Sequence, residues 1–115
     1  MSPVEEQYDR GVEYKVAGQY EEAIAEFQAV LSADPEHAPA HRQLGLVYGF
    51  LGLFDESIQE LLASVELNGH DLEARNDLAL TYAMIGMTDE AKSQFEIVLA
   101  ADPENAIAKR NMTYF

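Results

Sequence analysis

The sequence contains no cysteine and no tryptophan, and it lacks any long hydrophobic run. Without cysteine there can be no disulfide framework, no thiolate zinc site and no thiol nucleophile, which fits a reducing compartment such as the cytoplasm. No stretch approaches the about 18 apolar residues that a membrane crossing requires, and the N-terminal residues lack the apolar core of a secretory signal. We therefore expect a soluble, cytoplasmic protein.

Basic residues are also scarce. Seven Lys and Arg stand against 21 Asp and Glu, so the 115 residues carry a formal net charge of −14. A field of this sign repels phosphate backbones and anionic lipid headgroups, so we expect neither nucleic-acid binding nor membrane binding. The charge would attract a basic partner, although a role in solubility alone also accounts for it.

A pattern of helix, glycine and second helix occurs three times at a spacing of 34 residues. The middle copy holds Leu44, Gly45, Tyr48, Gly52, Phe54, Glu56, Ser57 and Ile58. The earlier copy holds Gly11, Tyr14, Gly18, Tyr20, Glu22, Ala23 and Ile24, and the later one holds Leu78, Ala79, Tyr82, Gly86, Glu90 and Ala91. A fixed period of this size, with a helix pair in each unit, is typical of a stacked solenoid.

Apolar residues at spacings of three and four predict helices throughout the chain. Glycine at 18, 52 and 86 should end the first helix of each pair in a left-handed turn, and Asp-Pro or Asn-Gly should end the second. The predicted helices span about 3–17, 21–33, 38–51, 55–67, 72–85, 89–101 and 106–115. No segment alternates apolar and polar residues, so the fold class is all-α.

The repeated residues resemble the tetratricopeptide repeat. In units 4–37, 38–71 and 72–105, the signature positions hold Gly11, Tyr14, Ala23, Phe27 and Pro35, then Leu44, Gly45 and Tyr48, then Leu78, Tyr82, Ala91, Phe95 and Pro103. Ser57, Leu61, Ser64, Gly69 and Ala79 are substitutes at further signature positions, and Gln7, His41 and Arg75 replace the family's tryptophan. The resemblance implies one domain over residues 1–115, a right-handed α-solenoid of three helix-turn-helix units with a partial capping helix at 106–115.

The resemblance also implies how each unit packs. Gly11, Gly45 and Ala79 are expected to be small so that the two helices of a unit approach closely at Ala23, Ser57 and Ala91. No unit can bury its apolar face alone, so the three together should form a continuous core.

In this family the first helix of each unit lines a concave peptide-binding groove. The positions implied to line it here are Tyr8, Val12, Lys15, Arg42, Leu46, Gly49, Phe50, Asn76, Leu80, Ala83 and Met84. Leu46 and Leu80 could instead pack between neighbouring first helices, since apolar helix positions more often belong to a core. A subgroup of the family holds a partner's C-terminal carboxylate with lysines, asparagines and an arginine, and the positions mapped to that clamp hold Tyr8, Val12, Gln43, Asn76 and Leu80. The clamp is therefore not expected.

Residue patterns for catalysis or metal binding are lacking. There is no GxSxG motif and no phosphate-binding glycine loop, and the carboxylates lie at helix starts and turns, so we expect no enzyme activity and no cofactor. His37 and His41 are four residues apart and His70 lies in the equivalent turn of the next unit, but no third ligand has a matching spacing. We therefore expect these three histidines to be surface residues that bind no metal.

Two functions remain open. The first is a scaffold that binds a peptide segment of another protein in the groove; apolar anchors in that segment would suit the groove, and basic residues would suit the charge. The alternative is a structural module whose units stack end to end into a homo-oligomer. It is motivated by the apolar residues Ile107, Met112, Tyr114 and Phe115 in the short last helix, where repeat proteins normally need a polar cap.

Overall fold

A computed structural model describes residues 2–115, which form seven α-helices and contain no strand. The helices are α1 (Pro3–Val16), α2 (Tyr20–Ala33), α3 (Ala38–Phe50), α4 (Phe54–Leu67), α5 (Leu72–Met84), α6 (Thr88–Ala101) and α7 (Ala106–Met112). Short turns join them into hairpins, and the molecule is elongated, 41 × 26 × 21 Å. The predicted all-α solenoid of helix-turn-helix repeats is confirmed, whereas the boundaries of the units stay a prediction.

The chain leaves α1, α3 and α5 through glycines with positive φ, namely 77° at Gly18, 77° at Gly52 and 81° at Gly86. Only glycine adopts this backbone region without steric cost, so the three predicted stops are confirmed. The last helix is shorter than expected, because α7 ends at Met112 rather than at Phe115. There the Thr113 hydroxyl donates to the Arg110 carbonyl at 2.7 Å and occupies one of the acceptors at the helix end.

Helix starts fall into two classes. The first helix of each pair has a side-chain N-cap: Ser2 Oγ accepts from Glu5 N–H, His37 Nδ1 from Ala40 N–H and Asp71 Oδ1 from Ala74 N–H, at 3.0 to 3.1 Å. Each of these bonds satisfies a backbone donor that the helix leaves free. The second helices α2, α4 and α6 instead begin after Gln19, Leu53 and Met87, with no cap bond from the side chain.

The largest helix contacts are within the pairs α1–α2, α3–α4 and α5–α6, and each second helix also packs on the first helix of the following pair. α1 touches α3, and α3 touches α5, so these three helices form a common surface, which we call the first-helix face. The buried apolar residues form three successive clusters along the stack, with Phe27 and Leu44 in the first, Leu61 and Leu78 in the second, and Phe95 in the third.

Glycine permits two of the close helix approaches. A Cβ on Gly11 would lie 2.5 Å from the Phe27 ring, and one on Gly45 would lie 2.8 Å from Leu61 Cγ and 3.1 Å from the Ser57 carbonyl oxygen. Close approach was expected at these glycines, but the nearest atoms belong to the larger side chains one turn further along the second helix. The glycines therefore make room for Phe27 and Leu61, which are fully buried.

None of the described helices is both long and apolar enough to cross a membrane.

Candidate binding site on the first-helix face

A pocket of about 280 Å³ lies on the first-helix face between α3 and α5. Its floor and walls are formed by Gly45, Leu46, Gly49, Phe50, Phe54, Ser57, Asp77, Leu80, Thr81 and Met84. Gly49 contributes no side chain, and a Cβ there would come no closer than 3.4 Å to another atom, the Ser57 hydroxyl. The space beside α3 is therefore left open by a missing side chain.

Five of the residues implied to line the groove meet in this pocket: Leu46, Gly49, Phe50, Leu80 and Met84, here called the pocket residues. Phe50 and Met84 lie at its rim and are 59% and 66% exposed. The sequence reasoning missed Phe54 and Ser57, because they belong to the start of α4 and only first helices were considered. It also missed Asp77 and Thr81, although their spacing from Leu80 and Met84 places all four on one face of α5.

Arg42 binds two carboxylates beside the pocket. Its Nε donates to Asp77 Oδ2 at 2.7 Å, and its Nη1 lies 3.2 Å from Glu73 Oε2. Burial raises the pKa of Asp77, against the opposing effect of the Arg42 hydrogen bond and charge. Burial lowers the pKa of Arg42, but the Asp77 bond and the nearby carboxylates outweigh this and raise it. The arginine is thus neutralised within the protein and is not a free cation for an acidic ligand.

Lys15 lies on the same face, where its Nζ donates to Gln43 Oε1, and Gln43 Nε2 in turn donates to the Tyr8 hydroxyl at 3.3 Å. Burial and the positive charge of Arg42 lower the pKa of Lys15. Lys15 and Tyr8 are half-buried, and they form a polar strip that joins α1 to α3. Arg42, on the same helix as Gln43, continues this polar surface towards α5.

Three residues implied to line the groove have other positions. Val12 is half-buried against the cluster around Phe27 and Leu44, so it belongs mainly to the core. Asn76 is only 3% exposed. Ala83 is exposed on α5 but does not line the pocket.

The position of Asn76 corrects the expectation that it faces a ligand. Its Nδ2 donates to Asn105 Oδ1 at 3.1 Å, and Asn105 is the N-cap of α7. Asn76 is thus bonded to the start of α7, and its buried Oδ1 has no hydrogen-bond partner among residues 2–115. Asn76 therefore tethers the last helix to the third unit.

The histidines are not grouped for metal binding. His37 caps α3, and His41 contacts Glu60 Oε2 and the Pro35 carbonyl at 2.7 and 2.8 Å. Within residues 2–115, no three His, Asp or Glu side chains are placed to hold a metal ion together. The arrangement on the first-helix face is suited to binding an apolar group beside a neutralised ion pair.

Two family models match the sequence. One described as TPR repeat matches residues 11–52, and one described as Tetratricopeptide repeat matches residues 38–71. No curated protein matches the sequence.

Several solved tetratricopeptide-repeat domains have the same fold. The first such domain of Spaghetti (RPAP3), bound to the HSP90 peptide SRMEEVD, is 23% identical with a TM-score of 0.91, over 96% of this chain and 88% of that one. The second domain of human RPAP3, in complex with the HSP70 peptide SGPTIEEVD, is 25% identical with a TM-score of 0.87, over 94% and 90%. The Arabidopsis OM64 domain is 15% identical with a TM-score of 0.90, over 96% and 92%.

The repeat pattern, the stacked helix pairs and these matches agree with one another. The two family models together extend over residues 11–71, and the solved domains superpose on nearly the whole chain. The protein belongs to the tetratricopeptide-repeat family.

Proposed function

We propose that the protein is an interaction module that binds a peptide segment of a partner protein on the first-helix face, without catalysis. The observation that carries the proposal is the pocket between α3 and α5. Its lining is mostly apolar, its volume of about 280 Å³ suits one large apolar side chain, and its rim exposes Phe50 and Met84. Exposed aromatic and aliphatic side chains around a concave site are typical of interaction surfaces.

Two of the structurally similar domains support peptide binding as the general activity, since they hold HSP90 and HSP70 peptides. Those peptides end in the acidic sequence EEVD. On the present first-helix face Arg42 is already paired with Asp77 and Glu73, and Lys15 is hydrogen-bonded to Gln43. An acidic tail would have to displace these contacts and approach a protein of net charge −14. We therefore propose a segment with an apolar anchor.

The remaining residues of the implied groove lie around the proposed site. Tyr8, Lys15 and Arg42 form a polar strip beside the pocket, where their side chains are hydrogen-bonded to Gln43 and Asp77 and would border a bound segment. Ala83 is exposed next to Met84 on α5 but lies outside the pocket lining. Val12 and Asn76 contribute through the core and the α7 contact instead.

The proposal is tested by selecting peptides from a random displayed library on the immobilised protein, then measuring their affinities by fluorescence anisotropy. The selected peptides should share one large apolar residue, and Leu46→Glu, which places a charge in the pocket, should weaken binding by at least about tenfold. Phe50→Ala should weaken it less, because Phe50 lies at the rim.

The matched control is Ile97→Glu, which adds the same charge at an exposed apolar position on α6, away from the pocket. Binding should survive that change. If the selected peptides bind Leu46→Glu and wild-type protein equally well while circular dichroism shows both folded, the pocket is not the binding site.

A second candidate function is end-to-end self-assembly. It is favoured by the far end of the stack, where Ile107, Tyr114 and Phe115 are 38%, 79% and 40% exposed. Met112, by contrast, packs against the last core cluster, and the Phe115 ring lies 6.1 Å from that of Phe95, so part of this apolar segment folds back on the protein. Light scattering over a concentration series separates the two functions, since a monomer at millimolar concentration would eliminate assembly.

A further inference from the structure

One edge of the molecule, which meets the pocket at Phe50 and Met84, is apolar. The turn between α3 and α4 exposes Phe50, Leu51 and Leu53, and the turn between α5 and α6 exposes Met84, Ile85 and Met87. These six residues, here called the apolar edge, are between 36% and 66% exposed. Phe50 and Met84 line the same pocket, so the two turns adjoin each other at these residues. Apolar patches of this kind, rimmed by charge, mark interaction sites.

Other turns of the same solenoid carry fewer large apolar side chains, although Val16, just before the first of them, is 79% exposed. The equivalent turn of the first pair holds Ala17 and Gln19 where the later turns hold a large apolar residue on each side of the glycine. The turns at the opposite edge, at 34–37, 68–71 and 102–105, consist of Asp, Glu, Asn, His, Gly and Pro. The fold does not require apolar side chains in its turns, so those at the apolar edge need another reason.

Leu53 and Met87 are also unfavourable residues for the start of a helix. Each is the N-cap of the helix that follows it, and neither side chain can accept a hydrogen bond from that helix. Ser2, His37 and Asp71 do so at the starts of α1, α3 and α5. A leucine at an N-cap is among the least favourable residues there. Residues that are unfavourable for the local structure, and that make no compensating contact, are often retained for function.

Acidic side chains border the apolar edge. Asp55 and Glu56 occupy the first turn of α4, and Asp89 and Glu90 occupy the first turn of α6. All four are exposed, and none forms an ion pair with a basic side chain among residues 2–115. The apolar edge is therefore flanked along its second-helix side by four free negative charges.

We propose that the apolar edge docks a short basic amphipathic helix of a partner protein, with its apolar stripe on the six edge residues and its Lys or Arg side chains on the four flanking carboxylates. Neighbouring packed helices lie about 8–10 Å apart, which is close to the about 10 Å rise of seven helical residues. Apolar residues at i, i+3, i+4 and i+7 of a partner helix thus reach both turns. In an extended strand, side chains alternate between opposite faces, so basic residues next to the anchors would point away from carboxylates that lie beside the patch.

The negative charge beside the apolar edge favours a basic helix over a second copy of the chain or an anionic bilayer. A second copy of the chain would bring its own Asp55, Glu56, Asp89 and Glu90 against those of the first, and like charges at short range oppose such a contact. A bilayer with anionic headgroups is repelled in the same way. The surface is separate from the pocket except at Phe50 and Met84, so the inference does not depend on the proposed peptide site.

The test uses a fluorescein-labelled model peptide of about 18 residues, with leucines on one helical stripe and lysines on its borders. Its affinity is compared with that of a peptide of equal composition whose leucine stripe is scrambled, and with one in which Glu replaces Lys. Leu53→Ser/Met87→Ser should weaken binding by at least about tenfold, and Asp55→Asn/Glu56→Gln/Asp89→Asn/Glu90→Gln should weaken it and flatten its salt dependence. Leu46→Glu, in the pocket, should change the affinity for the model peptide by less than about threefold.

The edge substitutions are to exposed positions, and serine is a favourable N-cap residue, so both variants should remain folded; circular dichroism and thermal melting check this. Equal binding by the wild type and the Leu53→Ser/Met87→Ser variant overturns the inference, as does equal binding of the Lys and Glu peptides. If only Leu46→Glu abolishes binding, the peptide occupies the pocket, and the apolar edge is not its site. Sedimentation of the wild type, but not of the edge variant, with neutral phosphatidylcholine vesicles would assign the edge to lipid instead, and a concentration-dependent dimer lost in the edge variant would assign it to a second copy.

Discussion

Gly45 and Gly49 lie on the same helix one turn apart, but their surroundings differ. A Cβ on Gly45 would meet Leu61 Cγ at 2.8 Å and the Ser57 carbonyl oxygen at 3.1 Å, and Leu61 is fully buried and cannot move aside. A Cβ on Gly49 would face the open pocket, with the Ser57 hydroxyl at 3.4 Å as its nearest neighbour. One glycine therefore serves packing, and the other leaves space for a ligand.

We predict opposite effects for alanine at these positions. Gly45→Ala should lower the free energy of unfolding by about 1–3 kcal/mol through overpacking, measured by urea denaturation. Gly49→Ala should leave it unchanged or raise it by up to about 1 kcal/mol, because alanine is the better helix former. Equal destabilisation by both changes would contradict the assignment of Gly49 to an open pocket.

Arg42 and Asp77 depend on each other because the side chain of Asp77 is only 19% exposed. Arg42→Met leaves this carboxylate without its partner and should cost about 1–2 kcal/mol of unfolding free energy at neutral pH, less than for a fully buried pair. The double variant Arg42→Met/Asp77→Asn should recover part of the loss, because it removes the unpaired charge. Additive losses in this double-mutant cycle would show that the two groups do not interact.

The Arg42–Asp77 pair also predicts how the stability of Arg42→Met changes with pH. Burial raises the pKa of Asp77, and Arg42→Met removes the two effects of Arg42 that lower it. A carboxyl group whose pKa is higher in the folded state than in the unfolded state favours folding at low pH, and this contribution is lost as the pH rises through the folded pKa. The free energy of unfolding of Arg42→Met, which is below that of the wild type at pH 7, should therefore approach the wild-type value as the pH falls towards about 4. Urea unfolding measures both values. A deficit that is constant over this range would contradict the mechanism.

At the scale of single helices, the two kinds of N-terminus differ in their capping hydrogen bonds. α3 and α5 are capped by His37 and Asp71, whereas α4 and α6 start after Leu53 and Met87 without a side-chain cap. The second helices rely on acidic residues in the first turn, which interact favourably with the helix dipole, and on burial of their apolar stripe. Their starts are therefore the parts of the stack whose local stability can most readily be improved.

Leu53→Ser/Met87→Ser should raise the free energy of unfolding by about 1–2 kcal/mol in total, since a serine hydroxyl can accept from a free N–H near each helix start. Gln19→Ser, at the equivalent position before α2, is the matched control that should stabilise α2 without touching the apolar edge. Thermal and urea unfolding measure the effect. A loss of stability in the double variant, with no loss in the control, would mean that Leu53 and Met87 contribute to packing within the protein.

At the scale of the whole molecule, net charge opposes the packing of an elongated stack. The 21 acidic residues outnumber the seven basic ones threefold, so most carboxylates have no basic partner even though Arg10, Arg42, Lys92 and Lys109 form ion pairs. Self-repulsion of this size destabilises a compact state. Because each unit contacts only its neighbours, the stack depends on the interfaces between successive helix pairs.

Added salt should therefore stabilise the protein. Raising NaCl from about 10 to about 300 mM shortens the Debye length from about 30 Å to below 10 Å and should raise the urea midpoint. The variant Asp55→Asn/Glu56→Gln/Asp89→Asn/Glu90→Gln removes four of the 21 acidic charges. Its urea midpoint should therefore rise less with added salt than that of the wild type. A midpoint that falls with salt would show that the ion pairs outweigh the repulsion.

The sequence by itself determined the helices and their stops, because these follow from backbone preferences and contacts within a few residues, and its repeat indicated that the helix pairs stack. Apolar spacing, the positive φ of Gly18, Gly52 and Gly86, and the period of 34 residues are all local or repeated signals. The end of α7 was the main departure, since the Thr113 bond that accompanies it has no counterpart in the repeated pattern.

Only the tertiary structure decided which positions of the first helices remain open to a ligand. Val12 is partly buried by the first core cluster, and Asn76 is buried and bonded to the N-cap of α7, although both occupy positions that the repeat assigns to the groove. The Arg42–Asp77 pair joins residues 35 apart, and Phe54 reaches the pocket from α4. Burial at a given repeat position depends on the neighbouring helices, and these differ between the middle and the ends of the stack.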